Sequence, residues 1–492
     1  MHPTSQTNSP LQRLRILLLT LFLGLKATLA GFVLLLLDIH ALLKSLLSYF
    51  AGKIIGIRQT VHVSQWRGIP SVLSISAADN LDFNFWRKPT YLVPTLSAMV
   101  KFKVKKLLDD RRVDILPDDK LYHWISDTPL SRLVSHDGDY LCLNLAVVQS
   151  LHTDADVYYT GPLLRINRHN HADVQIRFKD DAHIYTPADG SLWDLAKLHL
   201  QASSAFVMPG RFHGNIHFGL PCVAAASLQV LNKQDALYQL LAPHLRFTLR
   251  INNEALRVQR AQDRSKAYAP FPVSGDEFVS SIAGDVQEQL LNPGFRCPPW
   301  SLKNSELAFN QYGQAYYDQV YAFIAQVYPH LDAGSLRTFK QQVELFIPSF
   351  AAADDIHALA TLIWQVSFLH SADHYSMEHV MQGDQYIFFS MHLPAPAHSL
   401  IKADTPRSQL INMACDAEDK YRSSVFGRTF VPGHKHPLWS NTMDNIRYAF
   451  KDAQLKQVAL EFQQNLLNTE QTLKQQGINI CPLKNTFQSI CW

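Results

Sequence analysis

The fold is decided by an apolar stretch in the last third of the chain, LIWQVSFLHSADH (residues 362–374). Its apolar residues recur at helical spacing, and they belong to a predicted helix over 354–382. His370 and His374 are four residues apart, so an α-helix brings both imidazoles to the same face. His213 and His217 repeat that spacing upstream. Each pair can therefore hold one metal ion.

Four imidazoles suit a borderline transition metal such as iron or manganese, and they leave room for a carboxylate and a water in an octahedral shell. A single pair is weak evidence, because the chain has 22 histidines and chance pairs are expected. A histidine on an apolar helix face is more typical of a hydrogen-bonded core residue. The spacing alone leaves both interpretations open.

Composition is that of an ordinary globular protein and excludes several classes. Of the 492 residues, 47% are hydrophobic, which is enough for a large core without disulfide or metal staples. Lys plus Arg is 45 and Asp plus Glu is 42, a net charge of +3, so no nucleic-acid partner is indicated. The six cysteines are scattered, with no paired spacing that would predict a thiolate metal site.

The patterning predicts a mainly α fold with a small α+β part near its N-terminus. Strand-like stretches lie within 61–190, at Ser71–Ile75, Val157–Thr160 and Asp173–Phe178. From residue 191 onward the pattern is helical. Besides 354–382, helices are predicted over 191–204, 221–257, 305–328 and 440–476. No linker or repeat divides the chain after residue 60, so 61–492 is predicted to be one domain and 1–60 a separate N-terminal segment.

That N-terminal segment contains Ile16–Leu37, an apolar run interrupted only by Lys26. Its length predicts an apolar helix that anchors the protein in a membrane, with membrane lipid as a partner. A signal peptide cleaved near Ala30 is one alternative, and it would make the protein secreted or periplasmic. A helix lying on the membrane or on the protein is another.

Several segments resemble the lipoxygenase family in order and rough spacing. The most specific is PHLRFTLRIN (residues 243–252), which is similar to the family's signature. The other matching segments are YTPAD (185–189), WDLAK (193–197), HGNIH (213–217), the stretch 362–374 and PGH (432–434). The resemblance covers roughly 180–492. The N-terminal β-barrel of plant and animal members has no evident counterpart, so the chain resembles a short, bacterial-type member.

The resemblance implies a ligand set and a reaction. Lipoxygenases bind one non-haem iron, in part through their own terminal carboxylate, and the ending QSICW (residues 488–492) is similar to theirs. The implied metal ligands, which would also be the catalytic residues, are His213, His217, His370, His374 and the carboxylate of Trp492. The implied reaction joins O2 to a polyunsaturated fatty acid after hydrogen abstraction from a bis-allylic carbon. Ala255 stands where the family carries Ala for S products and Gly for R products.

Departures from the family keep alternatives open. Three residues separate His213 from His217, as in fungal manganese members, whereas most plant and animal members have four, so manganese competes with iron. Met377 replaces a glutamine that links the substrate cavity to the metal shell. His379 is a rival ligand. The alternative functions are a lipoxygenase-like isomerase of hydroperoxides and a non-catalytic, membrane-anchored helical protein.

Overall fold

In the computed structural model, most of the described residues lie in the C-terminal four-fifths of the chain. The described residues are 47, 50, 54, 55, 58–62, 72–76, 114–151, 153, 156–208, 212, 216, 221–245, 248, 306–345, 347, 350, 353–376, 390–415 and 441–489. The chain divides into two compact units, one formed by 1–57 and 76–112, the other by 58–75 and 113–492. All elements from residue 114 onward therefore belong to the second unit, and the predicted boundary at residue 60 stays a prediction.

The described elements confirm a mainly α fold with a small β part. The strands are β1 Arg58–His62, β2 Val72–Ser76, β3 Val134–Asp137, β4 Tyr140–Asn144, β5 Leu163–Asn167, β6 Val174–Arg177 and β7 Ile184–Tyr185. The helices are α1 Leu121–Ser126, α2 Ser191–Phe206, α3 Pro221–Val230, α4 Ala236–Leu245, α5 Ala308–Val327, α6 Ala333–Glu344, α7 Asp355–Trp364, α8 His370–Ser376, α9 Arg407–Ala414 and α10 Ala453–Gln475.

A five-stranded antiparallel sheet forms the β part. Its strands follow chain order from β3 to β7, and every neighbouring pair is antiparallel. Leu164 and Ile166 on β5 are fully buried, while Leu163, Arg165 and Asn167 are partly exposed. This alternation is typical of a sheet with one face on the core. The same hydrophobic cluster includes residues of α2, α5 and α7, so sheet and helices share one core.

Helix α7, a π-helical turn at Gln365–Leu369 and α8 follow one another without a break, and we call them the central run, 355–376. Asp354 begins the run by accepting hydrogen bonds from the backbone N–H groups of Ile356 and His357. Residues 358–374 of the run are all buried. A helix that is buried all round lies in the middle of a fold. Helix α5 packs against both α7 and α10.

Two helix predictions were too long. The predicted helix 221–257 is interrupted after Val230, and α4 begins at Ala236. Asn232 and Asp235 form a turn between them, in which the Asp235 carboxylate accepts from the Asn232 N–H at 3.2 Å. The predicted helix 440–476 begins only at Ala453, because Asp452 caps its first turn.

The predicted strand Val157–Thr160 is not formed. Helix α6 was not predicted, because polar side chains occupy most of its positions. Strand β6 lies within the predicted Asp173–Phe178, and β2 overlaps the predicted Ser71–Ile75. Short strands and polar helices are therefore where the sequence pattern was least informative.

The prediction of a membrane location is wrong. Among the described residues, no helix combines the length and the apolar character needed to cross a bilayer. The long helices α5 and α10 carry polar residues on one face, and the central run contains aspartate and histidine side chains. The stretch Ile16–Leu37, on which the prediction depended, lies outside the described residues.

Candidate metal centre

The second predicted ligand pair lies on the central run, in the interior of the second unit. The exposed fractions of His370 and His374 are 0% and 6%. Their ring centroids are 4.7 Å apart, and the ring planes make an angle of 65°. The two imidazoles therefore lie side by side on a buried stretch of the helix.

The π-helical turn directly precedes His370. The His370 N–H donates to the carbonyl of Gln365, five residues back, and also to that of Ser367. A π-turn inserts one residue into a helix, and such turns occur frequently at functional sites. Both histidines lie in the helical segment that directly follows this turn.

The C-terminal segment of the chain is hydrogen-bonded to this part of the central run. Ser371, next to His370, accepts a hydrogen bond from the backbone N–H of Phe487 at 2.8 Å. The Ser367 hydroxyl donates to the carbonyl of Gln488 at 3.0 Å. Residues 487 and 488 therefore lie directly against the helix that carries His370 and His374.

The same segment is held from another side by backbone pairing. The Met443 N–H donates to the Thr486 carbonyl at 2.7 Å, and the Gln488 N–H donates to the Asn441 carbonyl at 3.2 Å. Both contacts use backbone atoms of the tail. The side chain of residue 488 takes part in neither contact.

His244 completes the contacts to the tail. Its Nδ1 lies 2.8 Å from the Gln488 carbonyl oxygen and 3.1 Å from the Ser367 hydroxyl, and its Nε2 lies 2.8 Å from the Tyr448 hydroxyl. Burial lowers the pKa of His244 to about 4, so the ring is neutral near pH 7. A carbonyl only accepts, so Nδ1 carries the proton and donates. Nε2 then accepts from Tyr448.

His199 is a second buried histidine, and it lies away from the tail. Its Nε2 is 3.0 Å from the Pro394 carbonyl, and its Nδ1 is 3.0 Å from the Thr160 hydroxyl. Burial lowers its pKa to about 4 as well. His199 therefore resembles His244 in three ways: both rings are buried, both have a lowered pKa, and both pair with a carbonyl and a hydroxyl.

A buried ion pair links α8 to the turn before β3. The Arg132 guanidinium lies 2.6 Å from the carboxylate of Asp373, which directly precedes His374. The same guanidinium lies 4.8 Å from the ring centroid of Phe212, which directly precedes His213. Burial raises the pKa of Asp373 to about 7, against the opposing effect of Arg132. One side chain therefore contacts the immediate neighbours of a ligand from each predicted pair.

His213 and His217 lie outside the described residues. Among their described neighbours, Phe212 and Ile216 are helical and buried. Trp492, Ala255, Met377 and His379 also lie outside the described part. The roles assigned to these residues stay predictions.

No group of three or more His, Cys, Asp or Glu side chains in the described part of the chain is arranged to hold a metal. The residues that are described nevertheless fit one: two imidazoles share a buried helix face, and Phe487 and Gln488 are hydrogen-bonded to the same helix. Gln488 Oε1 and Ser489 Oγ are buried, with no hydrogen-bond partner among the described residues. Buried polar atoms of this kind call for a further polar group.

The sequence interpretation missed the partners of these residues, although two signals were visible. Asp373 is a charge within an apolar run, and a buried charge requires a partner. Ser367 and Ser371 are four residues apart, so one face of the helix presents both hydroxyls. Neither signal identifies the partner, Arg132 or the C-terminal segment, because each partner is more than a hundred residues away in the sequence.

Comparison with solved structures returns lipoxygenases. The coral 8R-lipoxygenase has a TM-score of 0.67 and 12% identity, covering 92% of this chain and 81% of that chain. A lipoxygenase variant in complex with arachidonate has a TM-score of 0.65 and 14% identity over the same shares. A 9R-lipoxygenase from Cyanothece PCC8801 has a TM-score of 0.55 and 14% identity, covering 85% and 72%. The chain therefore has a lipoxygenase-like fold.

Comparison by sequence returns nothing. No protein-family model matches the chain, and no curated protein does. At 12–14% identity, the likeness to solved structures concerns the fold alone.

Proposed function

We propose that this protein is a non-haem metal dioxygenase that converts polyunsaturated fatty acids and O2 to lipid hydroperoxides. The observation that carries the proposal is His370 and His374 on one face of a buried helix, with the C-terminal segment hydrogen-bonded to that helix. The lipoxygenase-like fold supports it, as does the arachidonate in one similar structure.

His370 and His374 would bind the metal together with His213, His217 and the Trp492 carboxylate. Neutral imidazoles and one carboxylate favour iron, with manganese as the other candidate. When bound, such an ion supplies the one-electron chemistry that removes a hydrogen atom from a bis-allylic carbon. Overall, one C–H bond breaks, and new C–O and O–H bonds retain both atoms of O2.

The residues around His370 and His374 would hold the two histidines in place and keep water away from them. The apolar central run excludes water, which strengthens interactions between charges at the site. The Arg132–Asp373 ion pair restrains the helix next to His374. The hydroxyls of Ser367 and Ser371 hold the tail against the same helix.

The test combines elemental analysis with oxygen uptake on linoleate and arachidonate. Purified protein should contain about one iron or manganese per chain, and His370→Ala should lower metal content and oxygen uptake together by about tenfold or more. His199→Ala is the matched control, since it removes an equally buried helix histidine elsewhere. Full metal content in His370→Ala, or a similar loss in both variants, would contradict the proposal.

Product analysis separates dioxygenation from the alternative chemistry. A dioxygenase consumes O2 and fatty acid, whereas an isomerase consumes a fatty-acid hydroperoxide without taking up O2. Metal-loaded protein that acts only on the hydroperoxide would replace the proposed reaction and keep the metal centre. Protein that holds no metal and leaves both substrates unchanged would support a non-catalytic role.

The stereochemistry of the product depends on Ala255 in this proposal. A methyl group there narrows the space beside one carbon of the pentadiene, so O2 adds at the other end and gives mainly S hydroperoxide. Ala255→Gly should move the product in position and towards R, as measured by chiral chromatography. An unchanged product distribution would show that Ala255 does not face the oxygen pocket.

A further inference from the structure

The Gln488 carbonyl is where the chain end meets two different elements. It accepts hydrogen bonds from Ser367 on the central run and from His244 on α4. The two donors approach one oxygen atom, so the carbonyl is held in both distance and direction.

The protonation of this network has a single solution. Burial raises the pKa of the Tyr448 hydroxyl well above its ordinary value, so the hydroxyl keeps its proton. Tyr448 donates to Nε2 of His244, which leaves the ring proton on Nδ1, facing the carbonyl. The acceptor-only carbonyl requires this tautomer, and the hydroxyl of Tyr448 stabilises it by donating to the other ring nitrogen.

A buried histidine costs free energy unless its hydrogen bonds are satisfied, so its partners indicate its role. The two ring nitrogens of His199 are hydrogen-bonded to the Pro394 carbonyl and to the Thr160 hydroxyl. The two ring nitrogens of His244 are hydrogen-bonded to the Gln488 carbonyl in the tail and to the Tyr448 hydroxyl. The chemistry is the same, but only the second arrangement reaches the chain end.

We propose that His244 is a positioning residue for the chain terminus: its Nδ1–H fixes the Gln488 carbonyl against the central run and so sets where the terminal carboxylate is presented. The inference rests on the proposed metal centre for the destination of that carboxylate. The restraint of the tail itself does not depend on a metal. Two measurements therefore test the two halves separately.

The first measurement is hydrogen–deuterium exchange of full-length, metal-free protein, followed on peptides that cover residues 484–492. His244→Leu removes the donor and should speed exchange at the amides of Phe487 and Gln488 by about tenfold, the change expected from the loss of about one buried hydrogen bond. His244→Asn places an amide N–H near the former Nδ1 and should restore most of the protection. His199→Leu, the matched control, should leave these amides within about twofold of wild type.

Ser367→Ala and Tyr448→Phe keep the test decisive if His244→Leu fails to fold. Ser367→Ala removes the other donor to the same carbonyl, and Tyr448→Phe removes the hydroxyl that pairs with Nε2 of His244. Ser367→Ala leaves one donor to the carbonyl, as His244→Leu does, and should speed exchange in the tail to a similar extent. Tyr448→Phe leaves both donors and should speed it by less. Tail exchange that stays at the wild-type rate in the folded variants overturns the inference.

The second measurement is electron paramagnetic resonance of protein loaded with Mn²⁺ alone. If His244 positions a terminal ligand, His244→Leu changes the manganese spectrum while His244→Asn and His199→Leu resemble wild type. Identical spectra in all variants overturn the metal half of the inference. Wild-type protein that takes up no metal overturns the proposed function, whereas a tail-exchange difference would still support His244 as the residue that holds the tail.

Discussion

The central run and helix α10 both pack against α5, yet they treat polar residues in opposite ways. In α10, the buried residues are Leu455, Phe462, Leu466 and Leu473, and most polar side chains face water. In the central run, residues 358–374 are all buried, and the polar ones among them include two serines, two histidines and an aspartate near its C-terminal end. Each kind of helix therefore gives a different meaning to the same residue types.

On α10, a polar side chain keeps one face in water and needs no specific partner. On the central run, each polar side chain has lost its water and requires a protein or ligand partner. Ser367 and Ser371 bind the tail, and Asp373 binds Arg132. The difference shows which polar residues need a specific partner: those that the central run buries, and not those that α10 exposes.

The largest expected effect follows from breaking the buried ion pair. Arg132→Met leaves the Asp373 carboxylate buried without its cation, and the free energy of unfolding should fall by about 3–5 kcal/mol, as measured by urea denaturation near pH 8. The double variant Arg132→Met, Asp373→Leu should recover most of the loss, because it removes both charges. A single variant within about 1 kcal/mol of wild type would show that the central run tolerates unpaired charge.

Acid should lower the free energy of unfolding, because His244 is buried in its neutral form. Unfolded protein protonates this histidine near its ordinary pKa of 6.5, whereas folded protein protonates it only near pH 4. Stability is therefore fully present above about pH 6.5 and falls as the pH decreases towards 4, by about 3 kcal/mol for this group. Urea denaturation at pH 7 and pH 4.5 measures the loss.

His244→Asn should lose about 2–3 kcal/mol less than wild type on this acidification, because asparagine does not titrate. His199→Asn should behave in the same way, since burial lowers the pKa of His199 to the same value. Equal losses in wild type and both variants would place the acid sensitivity elsewhere in the molecule.

A smaller effect is expected from Ser371→Ala. The substitution leaves the buried Phe487 N–H without the oxygen that accepts its hydrogen bond, which should lower the free energy of unfolding by about 1–3 kcal/mol. Chemical denaturation with Ser371→Thr as the conservative control measures it. Recovery by threonine, which keeps the hydroxyl, would tie the loss to the hydrogen bond rather than to the small change in volume.

The smallest effect is expected on α10, where Gln457 donates to Glu461 at 2.9 Å on the exposed face. Glu461→Ala removes this contact and should change the free energy of unfolding by no more than about 0.5 kcal/mol. The same denaturation measurement applies. A loss as large as that of Ser371→Ala would mean that the exposed face of α10 has a partner, and the contrast between the two helices would fail.

Much of the fold could be predicted from the sequence because periodicity is a local property. The central run was expected over 354–382 and is observed over 355–376, and α5 lies within the predicted 305–328. Helix limits at Ala236 and Ala453 were missed, since they depend on turns and caps made by a few side chains. The placement of His370 and His374 on one buried face followed from their spacing.

By itself, the sequence determined which residues would share a helix face, because that depends only on the 3.6-residue period of the backbone. It therefore determined the mainly α fold and the pairing of His370 with His374. Only the tertiary structure decided that His244 meets Gln488 across 244 residues and that Arg132 meets Asp373 across 241. Such contacts are chosen by how elements pack and by the need to satisfy buried polar groups, and no local pattern records either.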